Sequence, residues 1–316
     1  MGVQSGMARI AVMTFAYEGD KSIGFELLES LVSSFKNTKF DLYFTDDASS
    51  SRLDRSVVKW AESKGISAYG VRYDHNLGFR GAVERTLRLL KLIAQQPRDY
   101  DVILRIDTDA LVIKEGLDLE LLQLCTDPKG LYGVLKNMRP KDRLGYLLDL
   151  LPFGFKRVAN NDQIGSKFSM SRKSPVWWWR EGFKALTKGF RFKYVEGSCY
   201  IMGGAFPKEL MRLGILDRFD RNRHGLITSE EDVVVTTLCR SAGLPLYQTN
   251  EFDPRWKLVN ILGKRVLDMP VDELPFVIHA LKADPAGSAL RKKVRAKMPL
   301  FDRSRSLPSG EAISQP

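Results

Sequence analysis

The chain has 316 residues, with 49 Lys and Arg against 38 Asp and Glu, for a net charge of +11. Apolar residues make up 44% and charged residues 28%, which excludes the fibrous and disordered classes for the bulk of the chain. The three cysteines, Cys125, Cys199 and Cys239, are too few and too scattered for a disulfide framework or a zinc cluster, and a reducing compartment follows.

Ala8–Thr14 is a short apolar run that predicts a strand, and Ile23–Phe35 has helical spacing through Phe25, Leu28, Leu31 and Val32. Phe40–Thr45 predicts a strand, Leu53–Ser63 a helix and Ile66–Tyr73 a strand. Phe79–Ala94 sets Val83, Leu87, Leu90 and Ile93 on one face of a helix, and Val102–Ile106 is an apolar strand bounded by acids. This β-α-β-α-β-α-β order predicts an α/β fold: right-handed crossovers and a mostly parallel, twisted sheet with helices on both faces. Ligands of such sheets bind at the carboxyl ends of the strands. Three of those ends are polar or acidic: Thr14-Phe15-Ala16-Tyr17-Glu18, Asp46-Asp47-Ala48-Ser49-Ser50 and Asp107-Thr108-Asp109.

Leu131–Leu135 predicts a further strand, and then the texture changes. Residues 137–195 hold 13 Lys and Arg against 4 Asp and Glu, together with Pro152-Phe153-Gly154-Phe155 and Trp177-Trp178-Trp179. Three successive tryptophans cannot all face one way, so at least one belongs to the core; an exposed one would stack on a sugar ring or enter a membrane interface. Ser198–Met202 predicts a strand, Pro207–Leu213 a helix with proline at its first position, and Ser229–Ala242 a helix stopped by Gly243. Pro245–Thr249 and Phe276–Leu281 predict strands. From Arg291 to Arg305 seven basic residues face one acid, and beyond Leu307 the composition predicts disorder.

Four constellations are candidates for chemistry. In Asp107-Thr108-Asp109, two acids one residue apart leave a buried strand, and their repulsion is relieved by a hard divalent cation, Mg²⁺ or Mn²⁺. Asp46-Asp47 offers a carboxylate acceptor for a base N–H beside a helix that Ser49 can cap. Asn76-Leu77-Gly78-Phe79-Arg80-Gly81-Ala82 opens a helix whose N-terminus favours an anion. Glu230-Glu231-Asp232 places more acid at a helix start than capping requires, which provides a general base. His279, in an apolar strand, is either a satisfied core residue or a ligand.

No run approaches the roughly 18 apolar residues of a membrane span, and residues 1–8 have no leader core, so the expected location is cytoplasmic. The positive balance asks for an anionic partner: nucleotide, phospholipid, lipid-linked phosphate or nucleic acid. The last is not expected, because no nucleic-acid-binding motif accompanies the charge.

Taken together these residues resemble a GT-A fold glycosyltransferase. Asp46-Asp47-Ala48-Ser49 resembles the D-D-x-S of the large family 2 transferases, Asn76-x-Gly78 with Gly81-Ala82 their N-x-G-x-x-x-A segment, and Asp107-Thr108-Asp109 the D-x-D motif. Glu231-Asp232 followed by Arg240-Ser241-Ala242-Gly243-Leu244 resembles their E-D…R-x-A-G-Y helix. Gly197-x-Cys199-Tyr200-Ile201 ahead of Glu231-Asp232, with a late histidine, is also similar to the β-1,3-glycosyltransferase and fringe-like families. The resemblance spans about residues 8–282. It departs from family 2 at Val234, where a second acid is usual, and residues 137–195 match nothing in it.

The resemblance implies a nucleoside diphosphate sugar donor, UDP- or GDP-linked, and a glycan or lipid-linked acceptor. It implies Thr14 and Phe15 beside the base or ribose, Asp46 or Asp47 on the base N–H, and Asn76, Arg80 and Lys282 near the donor. Asp109 would bind a Mn²⁺ or Mg²⁺ ion that His279 completes, and Asp107 would reach the donor or the ion. Asp232 would be the general base of an inverting single displacement, while Glu231 would orient the acceptor or a neighbouring Arg, with Glu230 as a second candidate. The implied organisation is a nucleotide-sugar half at 1–136, a basic aromatic insertion at 137–195 bordering an anionic acceptor, an acceptor half at 196–290 and a basic, partly disordered tail at 291–316, which would touch an anionic membrane at its inner face. Three rival readings are a sugar-nucleotide nucleotidyltransferase, a phosphatase of the haloacid dehalogenase type and a non-catalytic sugar-nucleotide or nucleic-acid binder. The first lacks its Gly-rich basic loop at Thr14–Asp20, and the second has its motif after the wrong strand.

Overall fold

In the computed structural model, which describes residues 8–78, 81–149, 176–221, 230–249, 259–260, 267–270 and 273–301, the alternating first hundred residues become four parallel strands separated by helices. These are β1 (Ile10–Ala16), β2 (Phe40–Asp46), β3 (Ala68–Arg72) and β4 (Val102–Ile106), joined through α1 (Lys21–Ser34), α2 (Leu53–Ser63) and α3 (Ala82–Ala94). After them come β5 (Leu111–Val112), α4 (Leu117–Leu124), β6 (Leu131–Gly133), β7 (Leu135–Asn137), α5 (Pro140–Asp149), α6 (Val176–Thr187), β8 (Lys193–Val195) and β9 (Cys199–Gly203). The chain continues with α7 (Phe206–Arg212), α8 (Ile215–Arg221), α9 (Glu231–Ala242), β10 (Leu246–Gln248), β11 (Val259–Asn260), β12 (Val277–His279) and α10 (Pro285–Lys297).

Seven strands form one sheet in the order β10-β6-β9-β4-β1-β2-β3, in which β9 runs antiparallel to both its neighbours and every other pair is parallel. The period-2 alternation of a strand sorts its side chains between two layers. Ile10 and Val12 pack with α1, α2 and α4, whereas Ala11, Met13 and Phe15 pack with α3, α6, α7 and α9. In β4, Val102, Leu104 and Ile106 face the first layer and Ile103 the second. Arg105 shares the parity of Ile103, which sends a guanidinium into the α9 layer. The buried residues of α3 include Val83, Leu87, Leu90 and Ile93, the face expected from the sequence.

Two further sheets complete the fold. β7 pairs antiparallel with β8, so the strand expected over Leu131–Leu135 breaks at Val134 and the chain changes sheets there. The other sheet has the order β11-β12-β5, and α10 covers it through Val294, packed with Leu111, Ile278 and Leu281. The first part of the expected basic tail is therefore helix: Asp284 caps it by accepting from Gly287 N–H at 2.7 Å, and Arg291 is buried. Gly204, just past β9, tolerates no side chain, because a Cβ there would lie 1.6 Å from the Tyr100 carbonyl oxygen.

The described parts of 137–195 belong to the main core. Tyr146 of α5 lies edge-on to Trp178 of α6 at 6.3 Å, and Trp177 meets Phe219 of α8 at 5.9 Å. Trp177 and Trp178 are buried and Trp179 is half-buried against Phe183, so this helix supplies core rather than an aromatic platform. Residues 150–175 and 302–316 lie outside the described residues, as do Phe79, Arg80 and Ser229. No helix among the described residues is long and apolar enough to cross a membrane.

Replacing Trp178 with Ala is expected to cost about 3–5 kcal/mol through the cavity it leaves. Leu144→Ala on α5, where the leucine is 54% exposed, is expected to stay within about 0.5 kcal/mol of wild type. Guanidinium unfolding of the two variants checks both.

Candidate metal and donor site

At the end of β4 the backbone turns sharply. Asp107 N–H donates to Ser198 C=O at 2.9 Å, and Ala110 N–H donates back to Asp107 C=O at 3.1 Å. Thr108 Oγ1 donates to Phe15 C=O at 2.6 Å and ties this turn to the end of β1. The chain then enters β5, which pairs with β12 in antiparallel register, Leu111 opposite Ile278 and Val112 opposite Val277. Extending that register by one residue carries His279 up to the acidic turn. Leu281 N–H donates to Asp109 C=O at 2.8 Å and fixes the crossing. Arg291 stitches both legs, donating from Nε to Leu281 C=O at 2.9 Å and from Nη2 to Ala110 C=O at 3.0 Å.

The result is a cluster of Asp107, Asp109 and His279 whose ligand atoms all lie within 4.8 Å of one another, the one such group among the described residues. His279 Nε2 is 2.9 Å from Asp109 Oδ1 and 3.5 Å from Asp107 Oδ2, and Lys282 Nζ is 3.5 Å from Asp109 Oδ2. The three side chains are 30%, 14% and 18% exposed, so the cluster is sheltered yet reachable. Burial disfavours a charged imidazole, but hydrogen bonds to Asp107 and Asp109 outweigh it and raise His279 to about 9. Burial pushes the Asp109 carboxyl up, and the hydrogen bond with His279 pulls it below its ordinary value. A proton on the imidazole thus does what a cation would do: it sits between two acids and relieves their repulsion. Two carboxylates and one imidazole form a donor set that suits Mn²⁺, and metal binding there would displace that proton. Asp20 lies close by; burial and then the charge of Asp109 raise its carboxyl.

The acid pair at the end of β2 is engaged by the fold. Asp46, fully buried, accepts from Ser49 N–H and Ser49 Oγ at 2.9 Å each, from Asp54 N–H at 3.1 Å and from Arg72. Asp47 accepts from Leu77 N–H at 2.8 Å and forms an ion pair with Arg85 at 2.8 Å, both side chains almost wholly buried. Asn76 Oδ1 accepts from Gly78 N–H at 2.6 Å, and Gly78 takes φ +58, a conformation that suits glycine. Arg80 lies outside the described residues. Thr14 and Phe15 line a small, mostly apolar pocket together with Tyr17, Asp20, Phe25 and Leu53. Thr14 Oγ1 is buried there without a partner among the described residues.

The first turn of α9 holds the other two acids. Glu231 is buried: Oε2 accepts from Thr86 Oγ1 at 2.8 Å and Oε1 lies 2.9 Å from Arg105 Nη2. Burial raises its carboxyl, against the pull of Arg105. Asp232 Oδ1 accepts from Val233 N–H at 2.7 Å. A Cβ at Gly197 would lie 3.3 Å from Asp232 Oδ2, so this carboxylate abuts the segment that hydrogen-bonds to Asp107 through Ser198.

Four residues of this arrangement were not singled out in the sequence: Arg85, Arg105, Thr108 and Arg291. Arg105 was findable, because a charge inside the five-residue apolar strand Val102–Ile106 must be paired where it is buried. Arg85 was findable for the same reason, lying one turn from Leu89 in an amphipathic helix. Arg291 carried no such sign, because it sits in a run of basic residues.

No protein-family model matches the chain, and no curated protein matches it. Among solved structures it is similar to the bifunctional glycosyltransferase WbbM in its apo form, 12% identical over 95% of this chain and 52% of that one, TM-score 0.49. It is similar to the mannosyltransferase PcManGT from Pyrobaculum calidifontis, solved with GDP-Man and Mn²⁺, 15% identical over 92% and 62%, TM-score 0.43. It is also similar to the galactosyltransferase LgtC, solved with donor and acceptor sugar analogs, 13% identical over 95% and 98%, TM-score 0.46. The chain spans about half to three-fifths of the length of the first two.

Asp47→Asn is expected to cost about 3–5 kcal/mol, since it leaves Arg85 buried without its counter-charge. Adding Arg85→Met is expected to recover part of that loss. Urea midpoints of the single and double variants check the pair.

Proposed function

We propose that this chain is a metal-dependent glycosyltransferase of the GT-A type that moves a sugar from a nucleoside diphosphate sugar to an acceptor hydroxyl. The observation that carries the reading is the meeting of Asp107 and Asp109 with His279, far apart in the chain, at the carboxyl end of a central strand. Asp107, Asp109 and His279 would hold a Mn²⁺ or Mg²⁺ ion, which when bound would neutralise charge on the departing diphosphate.

The remaining roles follow from the chain's own groups. The pocket bordered by Thr14 and Phe15 suits the nucleoside, UDP- or GDP-linked. Asp46 and Asp47, both held by arginines, shape the loop beside it, Asn76 lies next to the Leu77 N–H that Asp47 anchors, and Arg80 would add a positive charge for the donor. Lys282, with its side chain 70% exposed and Nζ 3.5 Å from Asp109, supplies a second positive charge for the diphosphate. Asp232 accepts the proton of the acceptor hydroxyl while that oxygen attacks the anomeric carbon from the face opposite the diphosphate, inverting the centre. Glu231 is committed to Arg105 and Thr86 and orients rather than transfers protons. A glycan or lipid-linked acceptor, polysaccharide or glycoconjugate synthesis, and work at the cytoplasmic face of a membrane complete the reading.

Thermal unfolding with UDP and GDP sugars, each with and without Mn²⁺, tests the donor class. A donor at 100 times its Kd is expected to add about 2.7 kcal/mol, and only when the metal is present. Asp109→Asn is expected to remove that stabilisation. Stabilisation by a sugar nucleotide without metal, unchanged in the variant, would refute the metal reading.

Asp232→Asn is expected to lower transfer by about 10²–10⁴ while the metal-dependent stabilisation by donor is retained. A turnover assay on the same preparation checks the split, and an active Asn variant removes Asp232 from the base role.

A further inference from the structure

Arg105 makes an unusual use of a buried guanidinium. It is 1% exposed, near the end of β4, and both its close carboxylate contacts pass through one nitrogen. Nη2 lies 2.7 Å from Asp107 Oδ1 and 2.9 Å from Glu231 Oε1, while Nε and Nη1 find no acceptor among the described residues. An arginine chosen only for stability would grip one carboxylate with two nitrogens. Here one nitrogen serves two acids from separate elements, through a hydrogen bond to Asp107 and an ion pair with Glu231. The Phe15 ring packs against the guanidinium at 4.2 Å and limits its freedom to move elsewhere.

The two acids have different remaining contacts. Asp107 turns its other oxygen, Oδ2, toward His279 and the cation site. Glu231 turns Oε2 to Thr86 and sits next to Asp232 in the first turn of α9. Whatever draws Asp107 toward a cation loosens its hold on Arg105 and leaves the guanidinium to Glu231. Whatever removes the charge of Glu231 leaves the guanidinium wholly to Asp107, where it competes with a cation for the same carboxylate.

We propose that Arg105 is a positioning residue that couples the cation site to the first turn of α9, so that metal binding and the placement of the acids on that helix depend on one another. The inference rests on the metal-dependent reading above. It assigns Glu231 an influence on metal affinity although this residue belongs to no metal ligand set.

The test is a double-mutant cycle read on Mn²⁺ binding to the full chain, by the loss of the free-ion electron paramagnetic resonance signal, with no substrate present. Glu231→Gln is expected to weaken Mn²⁺ binding threefold or more while Arg105 is in place, and to change it by less than 1.5-fold in an Arg105→Met background. An equal weakening in both backgrounds, or none in either, overturns the coupling. If Arg105→Met fails to fold, judged by near-ultraviolet circular dichroism, the cycle is run in Arg105→Lys. There the ammonium cannot span both acids, and the effect of Glu231→Gln is expected to fall at least by half; an undiminished effect overturns the proposal. A wild-type chain that binds no Mn²⁺ sinks the metal reading and the coupling together, whereas binding without coupling sinks the coupling alone.

Discussion

The arrangement depends on the electrostatic cost of gathering carboxylates at one rim of a sheet. Asp46, Asp47, Asp107 and Asp109 all stand at the ends of parallel strands, where crossovers oblige the chain to leave the sheet on the same side. Each acid carries a partner. Asp46 has Arg72, Asp47 has Arg85 and Asp107 has Arg105. These guanidiniums stay charged at any physiological pH, and Asp107 alone of the three also turns an oxygen toward His279. Asp109 differs: its partners are an imidazole, which can give up its proton, and a lysine ammonium that is mostly in solvent. The rim thus closes Asp46 and Asp47 with fixed charge, leaves Asp107 one oxygen toward His279, and neutralises Asp109 with charge that can be exchanged. A cation has somewhere to enter at Asp109 and nowhere to enter at Asp46 or Asp47.

The minor sheet explains how that exchangeable position is built. The late residues His279 and Lys282 reach the acidic turn from outside the main sheet. β5 and β12 run antiparallel just beyond β4, which delivers them from the opposite direction. The strands of this sheet are only two or three residues long, too short to hold the crossing by themselves. Arg291 supplies what they lack. Its guanidinium donates to a carbonyl on each leg, and α10 packs Val294 over Leu111 and Ile278. The helix after the site is accordingly part of the site's support.

The fold was legible from Ala8 to Ile106 because hydrophobic periodicity switches cleanly between strand and helix there, and because the burial of Val83, Leu87, Leu90 and Ile93 is a local property of spacing. The DxD turn and His279 were legible as chemistry, but only the β5–β12 register brings them together, and a two-residue strand leaves no periodic trace. Asp46 and Asp47 read as free acceptors because the sequence does not show Arg72 and Arg85 closing on them. The tryptophan triplet read as at least one core residue, but which of the three pack inward was hidden, because its helix lies in a segment dominated by charge. Glu231 and Asp232 looked alike in sequence; Arg105 separates them, and parity along β4 decides that it faces α9.

The same separation between charge counted and charge displayed bears on what a net of +11 implies about partners. Much of the excess lies in 137–195 and in the stretch that begins at Arg291. Within that stretch Arg291 is buried, Arg295 approaches Glu26 at 3.6 Å, and Lys297 donates to the Met269 carbonyl at 2.8 Å. Lys292 and Lys293 are left to face outward from α10. At about 1 kcal/mol for each basic residue near an anionic leaflet, these two, of the described residues of α10, would contribute about 2 kcal/mol. Basic residues near the site have been drawn inward to balance acids and carbonyls, so the composition of this helix reports the support of the Asp107–Asp109 turn before it reports an external surface.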